Sequence, residues 1–304
     1  MRIAVSGATG MIGRRVVELL LERGDGVTAF TRDQSRVEEM FGGRVQPALW
    51  RDPQSQPAPA QALAGRDGVI NLLGENVAQR WTADAKQRIR GSRVLGTRNL
   101  VAGMREAEPT PSVLVSQSAS GYYGARGDEP VDESTPPARG DFLADVVVDW
   151  EAEALHAQQL GARVVLTRTG VVLSKSGGAL DKMMPFFKAG LGGPVAGGRQ
   201  YVPWIHIDDV AHAILFLLDN EAANGPVNLS APEPVTNAQL SKALGRALHR
   251  PAFAPVPGFA VQVLYGEMAS IVTTGVREVP KRLEELGYSF RQPELEPALR
   301  DVVA

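Results

Sequence analysis

The feature that most constrains the fold lies at the start of the chain, where an apolar run breaks into evenly spaced glycines. Residues 3–5 are followed by Gly7, Gly10 and Gly13, after which apolar residues recur at helical spacing. This order predicts a strand, a tight turn and a helix. Gly7 permits the sharp exit from the strand, and Gly13 lets the helix pack closely on it. Gly10 removes the side chain that would keep a ligand from the backbone.

The N-terminus of this helix is a predicted anion site. Its first N–H groups have no partner within the helix, and the positive end of the helix dipole adds to their attraction. A diphosphate fits such a site, so the motif indicates a dinucleotide-binding α/β fold. We expect the loop and the first helical turn to contact this ligand through Gly7, Thr9, Gly10, Met11, Ile12 and Gly13.

The end of the second predicted strand indicates which dinucleotide binds. Arg32 follows residues 27–31, at about the distance from the glycines where a dinucleotide fold contacts the adenosine ribose. An acidic residue there would accept a hydrogen bond from the 2′-hydroxyl, whereas a guanidinium pairs with a 2′-phosphate. Arg32 therefore predicts NADP rather than NAD, with Asp52 at the adenine edge. The alternative is an arginine that only faces water.

A buried stretch at residues 68–74 reads as a further parallel strand. It runs into a glycine at the carboxyl edge of the sheet, where doubly wound sheets bind their ligands. We therefore expect Leu72, Leu73 and Gly74 to lie under the cofactor. The next helix, residues 82–102, carries several arginines that we interpret as a solvated face, and it offers a surface for a homodimer.

Residues 113–115 form another predicted strand, which delivers hydroxyl side chains to the same edge. Hydroxyls there can hydrogen-bond a carbonyl or carbinol oxygen of a small-molecule substrate beside a nicotinamide. We expect Ser116 to contact the cofactor, and we take Ser118 and Tyr123 as the candidate catalytic residues. The alternative is that these serines only end a strand or cap a helix.

Composition argues against several other classes of protein. Lys and Arg number 32 against 34 Asp and Glu, a formal charge of -2, so no global field recruits nucleic acid or an anionic membrane and any anion site must be local. The chain has no Cys, which excludes disulfides and thiolate chemistry, and no residue spacing resembles a metal site. A strand begins too close to Met1 for a signal peptide, and no apolar run approaches the ~20 residues that span a bilayer. We expect a cytoplasmic protein.

The alternation of strands and helices gives way near Ser174 to a glycine-rich segment, residues 190–200. We therefore predict a doubly wound parallel α/β sheet with a smaller C-terminal lobe on the substrate side. Residues 1–173 form the dinucleotide-binding Rossmann domain, to which residues 203–220 return. Residues 174–202 and 221–304 form the smaller lobe.

The order of motifs resembles the extended short-chain dehydrogenases and, within them, the atypical epimerase-like branch of the YfcH or SulA type. The motifs that carry the resemblance run from end to end: Ser6-Gly7-Ala8-Thr9-Gly10, Asn71-Leu72, Gly74-Glu75-Asn76, Arg80-Trp81, Ser118-Ala119, Gly121-Tyr122-Tyr123-Gly124, Trp150-Glu151, Arg168-Thr169-Gly170, Trp204-Ile205-His206-Ile207-Asp208-Asp209, Gly225-Pro226-Val227-Asn228 and Arg250-Pro251. The resemblance implies a Rossmann fold, an NADP site, and a substrate of the nucleotide-sugar kind.

The active site of that superfamily uses a Tyr-x-x-x-Lys pair as acid and base, and a Ser that holds the substrate oxygen. The resemblance gives the serine's role to Ser118. The helix that should carry the pair spans residues 141–151 and contains neither Tyr nor Lys; Phe142 stands at the tyrosine position. Fold and cofactor site therefore carry over, whereas the proton-transfer groups do not.

Two functions remain open from the sequence. One is an NADP(H)-dependent oxidoreductase or epimerase with a relocated acid/base group, for which Tyr122, Tyr123 and Lys182 are candidates. The other is a non-catalytic NADP(H)-binding regulatory or scaffold protein. The resemblance also bears on the substrate, because related nucleotide-sugar enzymes clamp the diphosphate with an Arg where this chain has Val202. We therefore expect a smaller or less charged ligand, with Arg199 as the nearest alternative clamp.

Overall fold

A computed structural model describes all residues, 1–304. The strands are β1 Arg2–Ser6, β2 Gly26–Thr31, β3 Gln46–Leu49, β4 Gly68–Asn71, β5 Val113–Ala119, β6 Pro130–Val131, β7 Arg163–Thr169, β8 Val171–Leu173, β9 Tyr201–Val202, β10 Trp204–His206, β11 Gly225–Leu229, β12 Val235–Thr236 and β13 Arg277–Glu278. The helices are α1 Met11–Glu22, α2 Gln34–Phe41, α3 Ala60–Leu63, α4 Ala83–Arg105, α5 Phe142–Leu155, α6 Ala179–Lys188, α7 Ile207–Asp219, α8 Asn237–Ala247, α9 Gly258–Tyr265, α10 Ser270–Thr273, α11 Lys281–Glu285 and α12 Leu295–Val303. Short 3₁₀ helices cover Ser120–Tyr123, His156–Leu160 and Gly266–Ala269.

The centre of the molecule is a seven-stranded sheet in the order β11-β7-β5-β4-β1-β2-β3, and every neighbouring pair is parallel. The chain moves outward from β1 through β2 and β3, and then returns to the other side of β1 through β4. This reversal places a topological switch point between β1 and β4, where doubly wound sheets bind ligands at their carboxyl ends. The predicted fold class is confirmed.

Helices cover both faces of the sheet because the side chains of each strand alternate between two cores. In β1, Ile3 and Val5 belong to the core under α1 and α7, whereas Ala4 faces the opposite core under α4. Both cores are fully shielded from water at these positions. The carboxyl edge of the sheet is therefore held rigidly from both sides.

The predicted boundary of the smaller lobe is wrong at one place. Residues 225–229 were assigned to that lobe, but they form β11, which pairs with β7 and completes the large sheet. Pro226 is tolerated because β11 is an edge strand. A separate apolar core supports the rest of the lobe and includes Leu180 of α6, Trp204 of β10 and Leu244 of α8.

No helix combines the length and the apolar composition that crossing a bilayer requires.

Candidate cofactor and active site

The N-terminus of α1 presents hydrogen-bond donors at the switch point that no side chain caps. Gly10 is the N-cap, no side chain caps the helix, and its first turn contains no acidic residue. The N–H groups of the first turn therefore have no partner within the helix. Met11 and Ile12 are half-buried there and Thr9 lies beside them, also half-buried. Such an end attracts an anion through both hydrogen bonds and the helix dipole.

Three glycines shape this site, each for a different reason. Gly7 has φ +70°, and a Cβ there would lie 2.4 Å from the carbonyl oxygen of Leu72. A Cβ on Gly13 would lie 2.1 Å from the carbonyl oxygen of Gly7, so no other residue fits without moving the backbone. Gly10 is exposed, and a side chain there would occupy the space above the free N–H groups. This cradle fits the diphosphate of a dinucleotide.

The end of β2 supplies a cation beside that cradle. Arg32 is exposed and makes no ion pair within the chain. The neighbouring Asp33 is committed to α2, because its carboxylate accepts hydrogen bonds from the Ser35 hydroxyl at 2.7 Å and the Ser35 N–H at 3.1 Å. These bonds lower the pKa of Asp33 below its usual value. The Arg32 guanidinium therefore remains available to a 2′-phosphate. Asp52 is exposed after β3 and accepts from the Gln54 N–H, and its contact with adenine stays a prediction.

A buried hydrogen-bond network fixes the carboxyl ends of β1, β4 and β5. The Ser6 hydroxyl donates to Oδ1 of Asn71 at 2.7 Å, and Nδ2 of Asn71 donates to the hydroxyls of Ser116 at 3.1 Å and Thr97 at 2.9 Å. Ser116 is fully buried, which argues against the predicted contact with the cofactor. Its hydroxyl instead holds two strands in register.

The segment after β4 lies at the edge of the same site. Leu72 and Leu73 are half-buried, and Gly74 is exposed. Arg93 lies beneath this segment, where its Nη1 donates to the carbonyl oxygen of Glu75 at 3.0 Å. Burial lowers the pKa of Arg93 to about 10, although the negative charge of Glu75 opposes this fall. Its interpretation as part of a solvated face is wrong, because this arginine braces the loop beside Gly74.

Ser118 is also committed within the protein. Its side chain is buried, and its hydroxyl donates to Oε1 of Glu151 at 2.6 Å. Arg168, the partner of Ser118 across the sheet, donates to both oxygens of Glu151 at 2.9 Å. A hydroxyl that donates its hydrogen bond to a buried carboxylate cannot at the same time donate one to a substrate. This arrangement argues against the predicted direct role of Ser118 and favours one in positioning α5.

Tyr123 is committed to partners within the protein. Its ring is fully buried, and its hydroxyl donates to Oδ1 of Asn228 at 2.7 Å and accepts from Nη1 of Arg168 at 3.0 Å. Burial raises the pKa of Tyr123, which makes the phenol a poorer acid. This environment argues against the predicted catalytic role of Tyr123 and favours one in linking β5, β7 and β11.

The neighbouring Tyr122 differs in all these respects. It is half-buried, its hydroxyl makes no hydrogen bond within the chain, and its ring lies over Arg168, with 3.4 Å from the guanidinium carbon to the ring centroid. Phe142 forms the adjacent wall with Trp81, their centroids 5.2 Å apart, and Nζ of Lys86 lies 5.1 Å from the Phe142 ring.

The cations near the predicted diphosphate clamp also differ from expectation. Val202 is half-buried in β9 and Arg199 is exposed. The guanidinium of Arg277 lies 5.4 Å from the ring centroid of the adjacent Tyr201, and its buried Nε has no hydrogen-bond partner. Arg277 follows Val202 by a long stretch of chain, so no local spacing could reveal this neighbour. Lys182 is exposed on α6.

Comparison with known proteins agrees with the fold and the cradle. Residues 3–230 match the NAD dependent epimerase/dehydratase family, and residues 256–302 match a domain of unknown function, DUF1731. The chain is 39% identical to an Arabidopsis thaliana protein described as an epimerase family protein SDR39U1 homolog, chloroplastic, covering 100% of this chain and 87% of that one. It is 37% identical to mouse epimerase family protein SDR39U1 over the full length of both chains.

A solved structure of human epimerase family protein SDR39U1 (isoform 2) with NADPH matches with a TM-score of 0.87 and 33% identity, covering 99% of each chain. The chloroplastic relative leaves the expected cytoplasmic location a prediction. The similarity spans the Rossmann domain and the C-terminal lobe alike, and it agrees with the predicted resemblance. The chain belongs to the NAD dependent epimerase/dehydratase family, as an atypical extended short-chain dehydrogenase of the SDR39U1 type.

Proposed function

We propose that this protein binds NADP(H) and is an oxidoreductase or epimerase that acts on a small carbonyl or carbinol substrate. The observation that carries the proposal is the open N-terminus of α1 beside Arg32, a cation without an internal partner. The similar human structure that contains NADPH supports it. NADPH, when bound, supplies a hydride to a carbonyl carbon.

Different residues of the chain bind different parts of NADP(H). The N–H groups above Gly10 hold the diphosphate, and Arg32 pairs with the 2′-phosphate by charge-assisted hydrogen bonds. Leu72 and Leu73 form an apolar floor at the switch point, and the loop at Gly74 rests on Arg93. We keep Asp52 as a contact to the adenine edge.

Proton transfer requires a group that the protein leaves available. Ser118 and Tyr123 are both committed to buried partners, whereas Tyr122 on the same strand end has a free hydroxyl. Tyr122 is therefore our candidate for the acid that protonates the substrate oxygen. Arg168, stacked on its ring, holds the phenol in one orientation through the cation–π attraction.

A non-catalytic NADP(H)-binding protein is the second candidate. A specific observation favours it: where the superfamily carries its acid and base, α5 has Phe142 and, one turn later, the buried Val146. Neither side chain transfers a proton. In this alternative the aromatic wall of Phe142 and Trp81 only shapes the nicotinamide pocket.

One experiment separates these candidates. NADPH oxidation is followed across a panel of aldehydes and ketones, with Tyr122→Phe and Tyr123→Phe as a matched pair. We expect Tyr122→Phe to lower turnover by ~10² or more, and Tyr123→Phe to leave turnover within a few-fold while lowering stability, since it unpairs buried groups. Normal turnover in Tyr122→Phe excludes it as the acid. Tight NADPH binding with no turnover of any compound favours the second candidate.

A further inference from the structure

The apolar side chains that the protein exposes most are concentrated in its smaller lobe. The large apolar residues with more than half of their surface exposed are Phe186, Leu191, Phe253, Phe259, Val263 and Leu264. Three of them belong to α9, which is apolar along almost its whole length yet buries only Val261. Exposed apolar surface concentrated in this way marks an interaction site.

The same segments have an unusual distribution of charge. Residues 182–207 and 234–266 contain no Asp or Glu. Their cationic side chains are Lys182, Lys188, Arg199, Lys242, Arg246 and Arg250. The formal charge of -2 for the whole chain conceals this local excess of positive charge.

Cationic side chains and the exposed Phe253 line the same depression. A depression of about 800 Å³ is lined by Lys242, Arg246, His249, Arg250 and Phe253. Its rim continues to Leu191, because the N–H of Ala254 donates to the carbonyl oxygen of Gly192 at 3.3 Å.

The apolar helix follows directly from this rim. A bridge between Val195 and Val256 joins the glycine-rich segment to the loop immediately before α9. Arg246 also pairs with Glu296 of α12, whereas Lys242 and Arg250 make no ion pair. We call this surface, formed by residues 186–191, 242–253 and α9, the docking face.

We propose that the docking face binds the surface of an anionic lipid bilayer. Exposed Phe, Leu and Val side chains insert at the level of the headgroups, and the surrounding Lys and Arg side chains pair with lipid phosphates. This inference does not depend on the proposed NADP(H) chemistry. It revises the expectation of no membrane partner, which rested on the charge of the whole chain.

Charge complementarity favours a bilayer over a second copy of this chain. A symmetric dimer through the docking face would bring the same cations of two chains together, and like charges in contact oppose association. An anionic bilayer supplies the opposite charge over an area that a small apolar ligand could not cover.

The test is sedimentation of the full chain with vesicles of phosphatidylcholine alone, or of phosphatidylcholine mixed with phosphatidylglycerol. We expect binding to the mixed vesicles, much weaker binding to the neutral ones, and loss at high salt. Each basic residue near an anionic surface contributes about fivefold in affinity, so Lys242→Glu with Arg250→Glu should lower affinity by at least about 25-fold.

Phe259→Ser with Val263→Ser tests the apolar part and should also release the protein from mixed vesicles. The matched control is Arg88→Glu with Arg105→Glu, a double charge reversal of exposed residues on α4, which should bind the mixed vesicles as the unmodified chain does. Thermal midpoints verify that each variant folds. Absence of vesicle binding, equal binding to both vesicle types, or equal loss in the control overturns the proposal. A dimer in solution that the serine variants dissociate, without vesicle binding, also overturns it in favour of a second copy.

Discussion

At the scale of single residues, the glycines at the start of the chain determine the shape of the cofactor site. A Cβ on Gly13 would lie 2.1 Å from a backbone oxygen, so we expect Gly13→Ala to lower the free energy of unfolding by about 1–3 kcal/mol. This clash exceeds the gain of up to ~1 kcal/mol from helix propensity. Gly26→Ala is the control, because its Cβ would make only ordinary van der Waals contacts, with the Arg2 side chain at 3.7 Å and the carbonyl oxygen of Met1 at 3.9 Å. Urea denaturation measures both, and equal stabilities of the two variants contradict this reading of the motif.

Glu278 is a second residue with a measurable consequence. It is fully buried in β13, and burial raises its pKa from 4.5 to about 8; Glu133 adds to the rise, whereas the Ser230 hydroxyl and Arg168 oppose it. Between those values the folded chain holds a proton that the unfolded chain releases, so stability falls as the pH rises from about 4.5 to about 8.

Glu278→Gln removes this titration. Its stability relative to the unmodified chain should therefore grow between pH 5 and pH 8, by up to ~1.4 kcal/mol per pH unit. Denaturation series across this pH range provide the measurement. Parallel curves for the two chains are inconsistent with a protonated Glu278.

At the scale of elements, one ion pair fastens α5 to the sheet. Arg168 is buried on β7 and has Glu151 as its only carboxylate partner. We expect Glu151→Gln to cost about 3–5 kcal/mol of folding free energy, because it leaves the guanidinium buried without a counter-charge. Glu153→Gln, two residues further along the same helix, should cost under about 1 kcal/mol, since its partner Arg98 is 57% exposed. Similar denaturation midpoints for the two variants would show that the pair does not hold the helix.

Some of these elements could be predicted from the sequence, whereas the contacts between them could not. Glycine spacing and apolar periodicity predict β1, α1, β2 and the cofactor edge because these signals are local. The strand predicted at 113–115 continues to Ala119 as β5. Ser116 and Ser118 are therefore strand residues whose hydroxyls bond inside the protein, to Asn71 beside α4 and to Glu151 of α5. Hydroxyl groups that the sequence suggests are available to a substrate are therefore already hydrogen-bonded within the protein. The ties from Arg168 and Asn228 to Tyr123 join distant strands, and no spacing along the chain could indicate them.

At the scale of the whole molecule, the chain combines a Rossmann domain, whose open edge carries the cofactor cradle, with a lobe of local positive charge and exposed apolar surface. Edge strand β11 and Leu283 of α11 bring the later part of the chain back onto the Rossmann domain. NADP(H) binding should stabilise the whole unit, by about 2.7 kcal/mol at a ligand concentration of ~100 times Kd. A thermal midpoint that does not move with NADPH contradicts cofactor binding.

The most direct test of the central claim is a titration of the protein with NADPH and with NADH, repeated for Arg32→Asp and for the control Arg105→Asp. A charge-assisted pair to the 2′-phosphate contributes roughly 1.5–3 kcal/mol, or about 10- to 100-fold in affinity. We predict that the unmodified chain and the control prefer NADPH by this factor and that Arg32→Asp loses the preference. Equal affinities for NADPH and NADH in the unmodified chain would contradict the account.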